Sequence, residues 1–352
     1  MRVPSFSVVT GSQVAEVLDG QEHRVVDVVE AAYRLHGEGR TVNPPSYFLR
    51  FPDQPSNRII ALPASLGGDH AVHGLKWISS FPHNVEHDVP RASAVLLLND
   101  ARSGYPFACV ESSIISATRT AASAALAATV LTRGRPRPRR VGFVGTGLIA
   151  RYVHRYLLAT GWSFEEIGLH DIRAAHLAGF RDHLREVDDT PVVAHPSAPD
   201  LMRSCDLVVF ATVAPEPHVS DPTCLTHNPV VLHVSLRDLS PALVLAATNI
   251  VDDVDHCLRA RTSVHLAELA TGDRSFVHGT LHDVLEGRVT PPTDTPLVFS
   301  PFGLGVLDLA LGVHVYQELA ARGALVEVPG FFHELNRYGP AQRSPTSTDH
   351  RE

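Results

Sequence analysis

The sequence predicts an α/β protein in two parts, with one part interrupting the other. Three observations carry that prediction. After residue 140, short apolar runs alternate with helix-like stretches, as in a parallel sheet with crossover helices. Before residue 132, β-branched, aromatic and turn residues alternate as they do in antiparallel strands. Between the two lies Leu131 to Arg140, LTRGRPRPRR, a proline-broken basic stretch of the kind that marks a domain boundary.

Taken in order, Ser46 to Pro63 and Gly74 to Asp100 read as strands and hairpins. Glu111 to Thr132 is alanine-rich and free of proline and glycine, which predicts a helix of about six turns. Val141 to Val144 is a short strand, Leu148 to Thr160 a helix, Ile167 to Asp171 a strand and Ala174 to Val187 a helix. Pro191 to Ala194, Asp206 to Thr212, Val230 to Val234 and Asn249 to Val251 continue the strands. A long helix from Phe302 to Arg322 is expected to return to the first part and make it discontinuous. The expected division is 1–132 with 306–338, an inserted 133–305, and a polar tail at 339–352 expected to be disordered.

The motif Gly145-Thr146-Gly147-Leu148-Ile149-Ala150 leaves a strand and enters a helix. The first glycine permits a tight turn, the second lets backbone approach a pyrophosphate, and the small residue at 150 allows close helix–strand packing. Asp171 ends the next strand, 26 residues past Gly145, where a carboxylate can accept both ribose hydroxyls. Its charge repels a 2′-phosphate and so favours NAD over NADP, a preference that Arg173 tempers. Thr212, at the end of a later strand, is a further candidate cofactor contact. Together these features define a Rossmann NAD-binding domain inserted in a discontinuous α+β domain.

Composition narrows the class. The 352 residues are 44% hydrophobic and 19% charged with a net charge of -8, which is not the surface of a nucleic-acid binder. No apolar run approaches the roughly 18 residues of a membrane span, and no charged-then-apolar leader opens the chain, so a cytoplasmic protein is expected. The four cysteines are scattered and read as reduced thiols. Of 30 basic residues 29 are arginine; Lys76 is the single lysine. An ammonium can lose its proton where a guanidinium cannot, so this lysine is marked for chemistry.

Outside the cofactor motif, polar residues stand where the pattern predicts burial. Lys76 lies in a strand-like segment, Arg119 in the middle of the alanine-rich helix, and Arg91 just before an apolar strand. A buried cation needs a protein carboxylate or an anionic ligand. For Arg119, pairing with a local acid such as Glu111 or Asp100 and binding of a ligand both remain open.

From about Pro44 to Arg322 the chain resembles the ornithine cyclodeaminase/μ-crystallin family. The resemblance rests on Gly74-Leu-Lys76, Leu96-Leu-Leu-Asn-Asp100, Thr118-Arg119-Thr120-Ala121-Ala122, the 145–150 loop and Phe299-Ser-Pro-Phe-Gly-Leu304. It implies a homodimer formed through the first domain, which binds substrate. It implies that Lys76 and Arg119 hold the substrate carboxylate and that Asp238 is the catalytic acid–base group. A strand-end or helix-capping Asp238 is the alternative. The arginine usual after the first prolines is replaced by Ser46, with Arg50 and Arg58 nearby, and a usual threonine is Arg91.

The similarity is tightest, over Asn43–Arg50, Arg58–Pro63, Lys76–Pro82 and Pro90–Ala94, to a branch of siderophore-pathway amino acid dehydrogenases whose substrate carries three carboxylates. That branch implies oxidation of a secondary amine followed by imine hydrolysis to 2-oxoglutarate and L-2,3-diaminopropionate. Within the family, a cyclodeaminase or imino-acid reductase has no need of Arg91. A non-catalytic dinucleotide-binding protein has no need of Asp238. Of the remaining motifs, His83-Asn-Val-Glu-His87 matches a zinc-peptidase pattern, but flanking prolines predict a loop and not the helix such a site requires.

Overall fold

The structure is a computed structural model that describes residues 5–333. The tail expected at 339–352 lies outside them. Two eight-stranded sheets organise the chain. The first is mixed. Its central antiparallel run is formed by Gln54–Leu66, Val72–Ser80, Ala92–Asp100 and Pro106–Glu111. Thr41–Val42 and Tyr47–Phe51 both pair with Gln54–Leu66. At the other edge Ser7–Val9 runs parallel to Pro106–Glu111, and Val326–Glu327 closes the sheet beside it. The ends of the described chain therefore meet in one sheet.

The second sheet is wholly parallel. Its order is Val192–Ala194, Glu166–His170, Arg140–Val144, Leu207–Phe210, Val230–His233, Leu297–Ser300, Thr248–Val251 and Val277–Thr280. The chain reverses its direction of winding between Arg140–Val144 and Leu207–Phe210. Such a switch point opens a crevice at the carboxyl ends of the strands, where ligands of this fold bind. These strands read as near-continuous apolar runs because helices cover both faces.

Helices join the two sheets. Ser113–Leu131 is buried along most of its length, with Tyr33 of the Glu22–Gly37 helix hydrogen-bonded to its Ser123 at 2.7 Å. By length and composition it could cross a membrane, contrary to the sequence expectation that no segment approaches that length, but 72% of it is buried inside the protein. The Gly305–Ala321 helix leaves the parallel sheet and packs on the mixed one. Its approach is close. A Cβ at Gly312 would lie 2.2 Å from Leu96, and one at Gly74 would lie 2.5 Å from Leu309 of the helix.

Three arginines of the 131–140 stretch reach neighbouring groups of the inserted part while the stretch stays largely exposed. Arg135 donates to the Thr295 carbonyl at 2.8 Å, Arg137 lies over the Trp162 ring, and Arg139 pairs with Glu165. The segment expected as a loop around His83 is a short 3-10 helix, Pro82–His87, in which the His83 ring meets Glu86 at 3.1 Å.

Candidate active site

The mixed sheet supplies a floor. In an antiparallel sheet directly opposed residues point to one face, and so do alternate residues along a strand. Lys76, Ile78 and Ser80 therefore share a face with Leu62, Ile60 and Arg58, their partners on the neighbouring strand. The Gly305–Ala321 helix covers this face from Leu62 and Lys76 onward, toward Gly74 and Leu98. Beyond its N-terminus, toward Arg58 and Ser80, the face is not covered by that helix.

Lys76 stands where the helix begins. It is 2% exposed, and its Nζ donates to Asp308 Oδ2 at 2.7 Å and to Ser116 Oγ at 3.3 Å. Burial lowers its pKa to about 8; Asp308 opposes that shift and Arg119 adds to it. Arg119 donates from Nε to Asp308 Oδ1 at 3.3 Å. Asp308 is wholly buried in the first turn of its helix, where the helix dipole favours a carboxylate. One carboxylate thus serves two cations, leaving a net positive charge. Neither acid suggested by sequence pairs with Arg119: Glu111 accepts from the Ser113 and Ile114 amides, and Asp100 from those of Arg102 and Ser103. Gly303, at φ +92°, lets its loop press on Arg119; a Cβ there would lie 2.7 Å from the guanidinium. Asp252 holds that loop through the Phe302 and Gly303 amides at 2.9 and 2.7 Å.

The uncovered end of the floor is cationic. Arg50 opposes Arg58, which opposes Ser80. Arg91 donates to Ser80 Oγ at 2.7 Å. Burial lowers the pKa of Arg58 and of Arg91, and the neighbouring arginine lowers each further. Among the described residues none of the three has a carboxylate within ion-pair distance. Ser80 lies four residues from Lys76 on one strand, about 13 Å at strand rise.

The 145–150 loop sits at the switch point. Gly145 has φ +84°, and a Cβ there would lie 2.7 Å from the Ala211 carbonyl oxygen, so the turn admits only glycine. A Cβ at Gly147 would meet nothing within 4 Å; the loop leaves open space there. Leu148 starts the helix, more than half exposed, while Ala150 is buried. Asp171 accepts at 2.9 Å from both the amide and the hydroxyl of Thr146 and at 2.8 Å from the Arg173 amide. The side chain of Ile172, beside it, is 93% exposed.

Asp238 is placed differently from the sequence expectation of a water-activating base. It is fully buried. One oxygen accepts from Thr212 Oγ and from His218 at 3.0 Å, the other from His233 at 3.0 Å and Ser235 Oγ at 2.5 Å. Burial alone would raise its pKa, but these donors and the His233 charge hold it far below the usual carboxylate range. A carboxylate so satisfied is a weak base and has no exposed lone pair for a water. Thr212, expected as a cofactor contact, spends its hydroxyl on Asp238 and receives the Ala214 amide at 3.1 Å.

A doubly wound parallel sheet facing a cationic floor on a second, mixed sheet defines the class to which this protein belongs. The chain is a member of the ornithine cyclodeaminase/mu-crystallin family, whose model matches residues 8–323. The N-((2S)-2-amino-2-carboxyethyl)-L-glutamate dehydrogenase of Staphylococcus aureus is 27% identical over 304 residues, 83% of this chain and 89% of that protein. The Thermococcus litoralis Delta(1)-pyrroline-2-carboxylate reductase, solved with NADH and L-proline, matches with a TM-score of 0.81 at 21% identity, over 92% of this chain and 99% of that one. An archaeal alanine dehydrogenase dimer with bound NAD matches at 0.81 and 23% identity, over 93% and 100%.

Proposed function

We propose that the protein is an NAD-dependent dehydrogenase that cleaves N-((2S)-2-amino-2-carboxyethyl)-L-glutamate to 2-oxoglutarate and L-2,3-diaminopropionate, in siderophore or other specialised biosynthesis. The observation that carries this reading is the group Arg50, Arg58 and Arg91, unmatched by carboxylates among the described residues and beside the strand of Lys76, which shares Asp308 with Arg119. A monocarboxylate such as ornithine or proline leaves those charges without use. A tricarboxylate matches them. The similarity to the S. aureus dehydrogenase points the same way.

The loop fits NAD. Open space beside Gly147, the N-terminal amides of the Leu148–Ala159 helix and the carboxylate of Asp171 are what a pyrophosphate and a ribose diol require. Gly145 through Ala150 would hold the pyrophosphate and Asp171 the ribose, with Ile172 beside the adenine. When bound, NAD supplies the hydride acceptor.

The protein's own groups do the rest. Arg119 and the arginine group fix the carboxylates. Lys76, neutral above pH about 8, takes the proton of the substrate amine as the substrate is oxidised to its imine. Water then adds to the imine carbon and gives up a proton. The Lys76 ammonium returns one to nitrogen, and the C–N bond breaks to a ketone and an amine. The sum is substrate, NAD⁺ and water giving 2-oxoglutarate, L-2,3-diaminopropionate, NADH and a proton. Asp238 holds the walls of the crevice in this scheme and is not the base.

A homodimer suits the other face of the mixed sheet, where Tyr47, Leu49, Trp77 and Val95 are exposed. All four cysteines are free, which suits a reducing, cytoplasmic setting. The test is NADH absorbance with purified protein, NAD and the tricarboxylate amine, with 2-oxoglutarate assayed as co-product. Equimolar NADH and 2-oxoglutarate support the reading. Proline formed from ornithine, or NADH consumed by Delta(1)-pyrroline-2-carboxylate, with no reaction of the amine, would replace it with a cyclodeaminase or reductase. NAD binding without turnover of any of the three would point to a non-catalytic dinucleotide-binding protein.

A further inference from the structure

When water adds to the imine carbon it gives up a proton, and Lys76 is not free to take it, because its ammonium is then the acid that serves nitrogen. Asp238 is not free either, since both its oxygens are occupied. A third group is placed for this proton. The strands Val230–His233 and Leu297–Ser300 lie side by side in the parallel sheet and end together, and the carboxyl ends of such strands face the ligand crevice. Their last residues touch: His233 Nδ1 lies 3.2 Å from Ser300 Oγ. The other ring nitrogen, Nε2, lies 3.0 Å from Asp238 Oδ2 and 3.3 Å from the Asp238 amide. A carboxylate can only accept, and it makes the shorter contact, so Nε2 carries the hydrogen. Nδ1 keeps its lone pair, and the Ser300 hydroxyl donates to it. Asp238, His233 and Ser300 thus stand in the order of anion, base and hydroxyl.

The hydroxyl end of this line meets a cavity walled in part by His233, Ser235, Thr262, Ser263, Ser300 and Phe302. Ser235 and Thr262 spend their hydrogens on Asp238 and on the Cys257 carbonyl, and Ser263 Oγ accepts the Leu239 amide. Ser300 Oγ has the imidazole as its one partner among the described residues, which leaves its lone pairs to the cavity. From Ser300 the chain reaches Gly303 in three residues, about 10 Å at most. Gly303 is the residue that presses on the Arg119 guanidinium. The cavity therefore adjoins the group assigned to the substrate carboxylate.

We propose that His233 is the base for the hydrolytic water, acting through the Ser300 hydroxyl, and that Asp238 positions its ring. The water oxygen bonds the imine carbon as one of its protons passes to Ser300 Oγ and the serine proton passes to His233 Nδ1. The C=N electron pair moves to nitrogen, which takes the proton of the Lys76 ammonium. Asp238 remains an anion and faces the imidazolium that forms. The proton returns through the same hydroxyl to water when the products leave, and it is the one proton released in the overall sum. Ser300 alone touches the water; His233 and Asp238 act behind it. This role presupposes the two-stage reaction proposed above, so the test separates the stages.

Full-length protein with NAD is mixed rapidly with the tricarboxylate amine, and NADH and 2-oxoglutarate are followed separately. In Ser300→Ala the first NADH per active site is expected to form within about threefold of the wild-type rate, while 2-oxoglutarate release slows by about 10²-fold, the scale of general base catalysis. His233→Gln should behave alike, and Ser300→Thr, which keeps the hydroxyl, should recover most of the rate. NADH affinity should be unchanged in all three. A second readout needs neither cofactor nor substrate: long-range nitrogen NMR spectra of histidine-labelled wild type, with the His233 signals identified by their loss in His233→Gln, are expected to show a hydrogen on Nε2 and none on Nδ1. Wild-type release of 2-oxoglutarate by Ser300→Ala, equal slowing of both stages, or a hydrogen on Nδ1 would overturn the relay and leave the proposed substrate standing. A wild type that forms no NADH from the amine would instead remove the substrate, and the relay with it.

Discussion

Lysine and arginine differ at position 76 in the property the proposed chemistry uses: the ammonium can give up its proton. With a pKa lowered to about 8, the oxidative kcat is expected to rise between pH 7 and 9 as Lys76 becomes neutral. Lys76→Arg should cost 10²-fold or more in kcat across that range while leaving NADH affinity unchanged. A variant with wild-type kcat would remove the lysine from the chemistry. Asp308 raises the Lys76 pKa, so Asp308→Asn should move the rising limb of the pH profile to lower pH; movement to higher pH would contradict the pairing. The lysine was legible because it is the single one in the sequence. Its counterion is not legible locally, since 232 residues separate the pair. The signal was nonetheless present: Asp308 is the lone acid in Gly305–Tyr316, an otherwise apolar helical stretch.

At the scale of elements, local patterns were read well and pairings between distant segments were not. The 145–150 loop could be read because its turn, its helix and its strand are contiguous. The strands Ser7–Val9 and Val326–Glu327 could not, since runs of three and two residues carry no period and each gains its place from partners elsewhere. Asp171 ties down Thr146 in the structure, and in the proposed site it also meets the ribose. Asp171→Ala should therefore weaken NADH binding by about 10–100-fold in a fluorescence titration; unchanged affinity would show that the ribose lies elsewhere.

Asp238 shows the cost of reading a role from position alone, because its four side-chain donors come from residues 212, 218, 233 and 235. Asparagine would aim an N–H at groups that are themselves donors. Asp238→Asn is expected to lose roughly 2–4 kcal/mol of stability in urea unfolding. The wild-type carboxylate has a pKa far below its unfolded value, so its contribution is complete above pH about 4 and is lost as pH falls below that. The asparagine variant should accordingly show a shallower acid limb. Wild-type stability with a selective loss of kcat would restore Asp238 as the base.

At the scale of the whole molecule, one strand serves two surfaces. Side chains alternate along Val72–Ser80, so Lys76 faces the helix and Trp77 the outside. Across the outer face, Tyr47, Ala61, Trp77 and Val95 form a row over four strands, with Leu49 one step along. Tyr47 is 69% exposed and Trp77 41%, and no element among the described residues covers them. An apolar sheet face is stable against water only where something buries it, and a second copy of the same face is self-complementary about a twofold axis. Burying each aromatic of this row contributes about 1.5–3 kcal/mol. Trp77→Asp places a charge at the centre of that row and leaves Lys76 on its own side of the sheet. In sedimentation velocity the wild type is expected to run as a dimer and Trp77→Asp as a monomer, with Val95→Asp behaving alike. A wild type that sediments as a monomer, or a Trp77→Asp variant that keeps the dimer, would show that this face is covered by something other than its own copy.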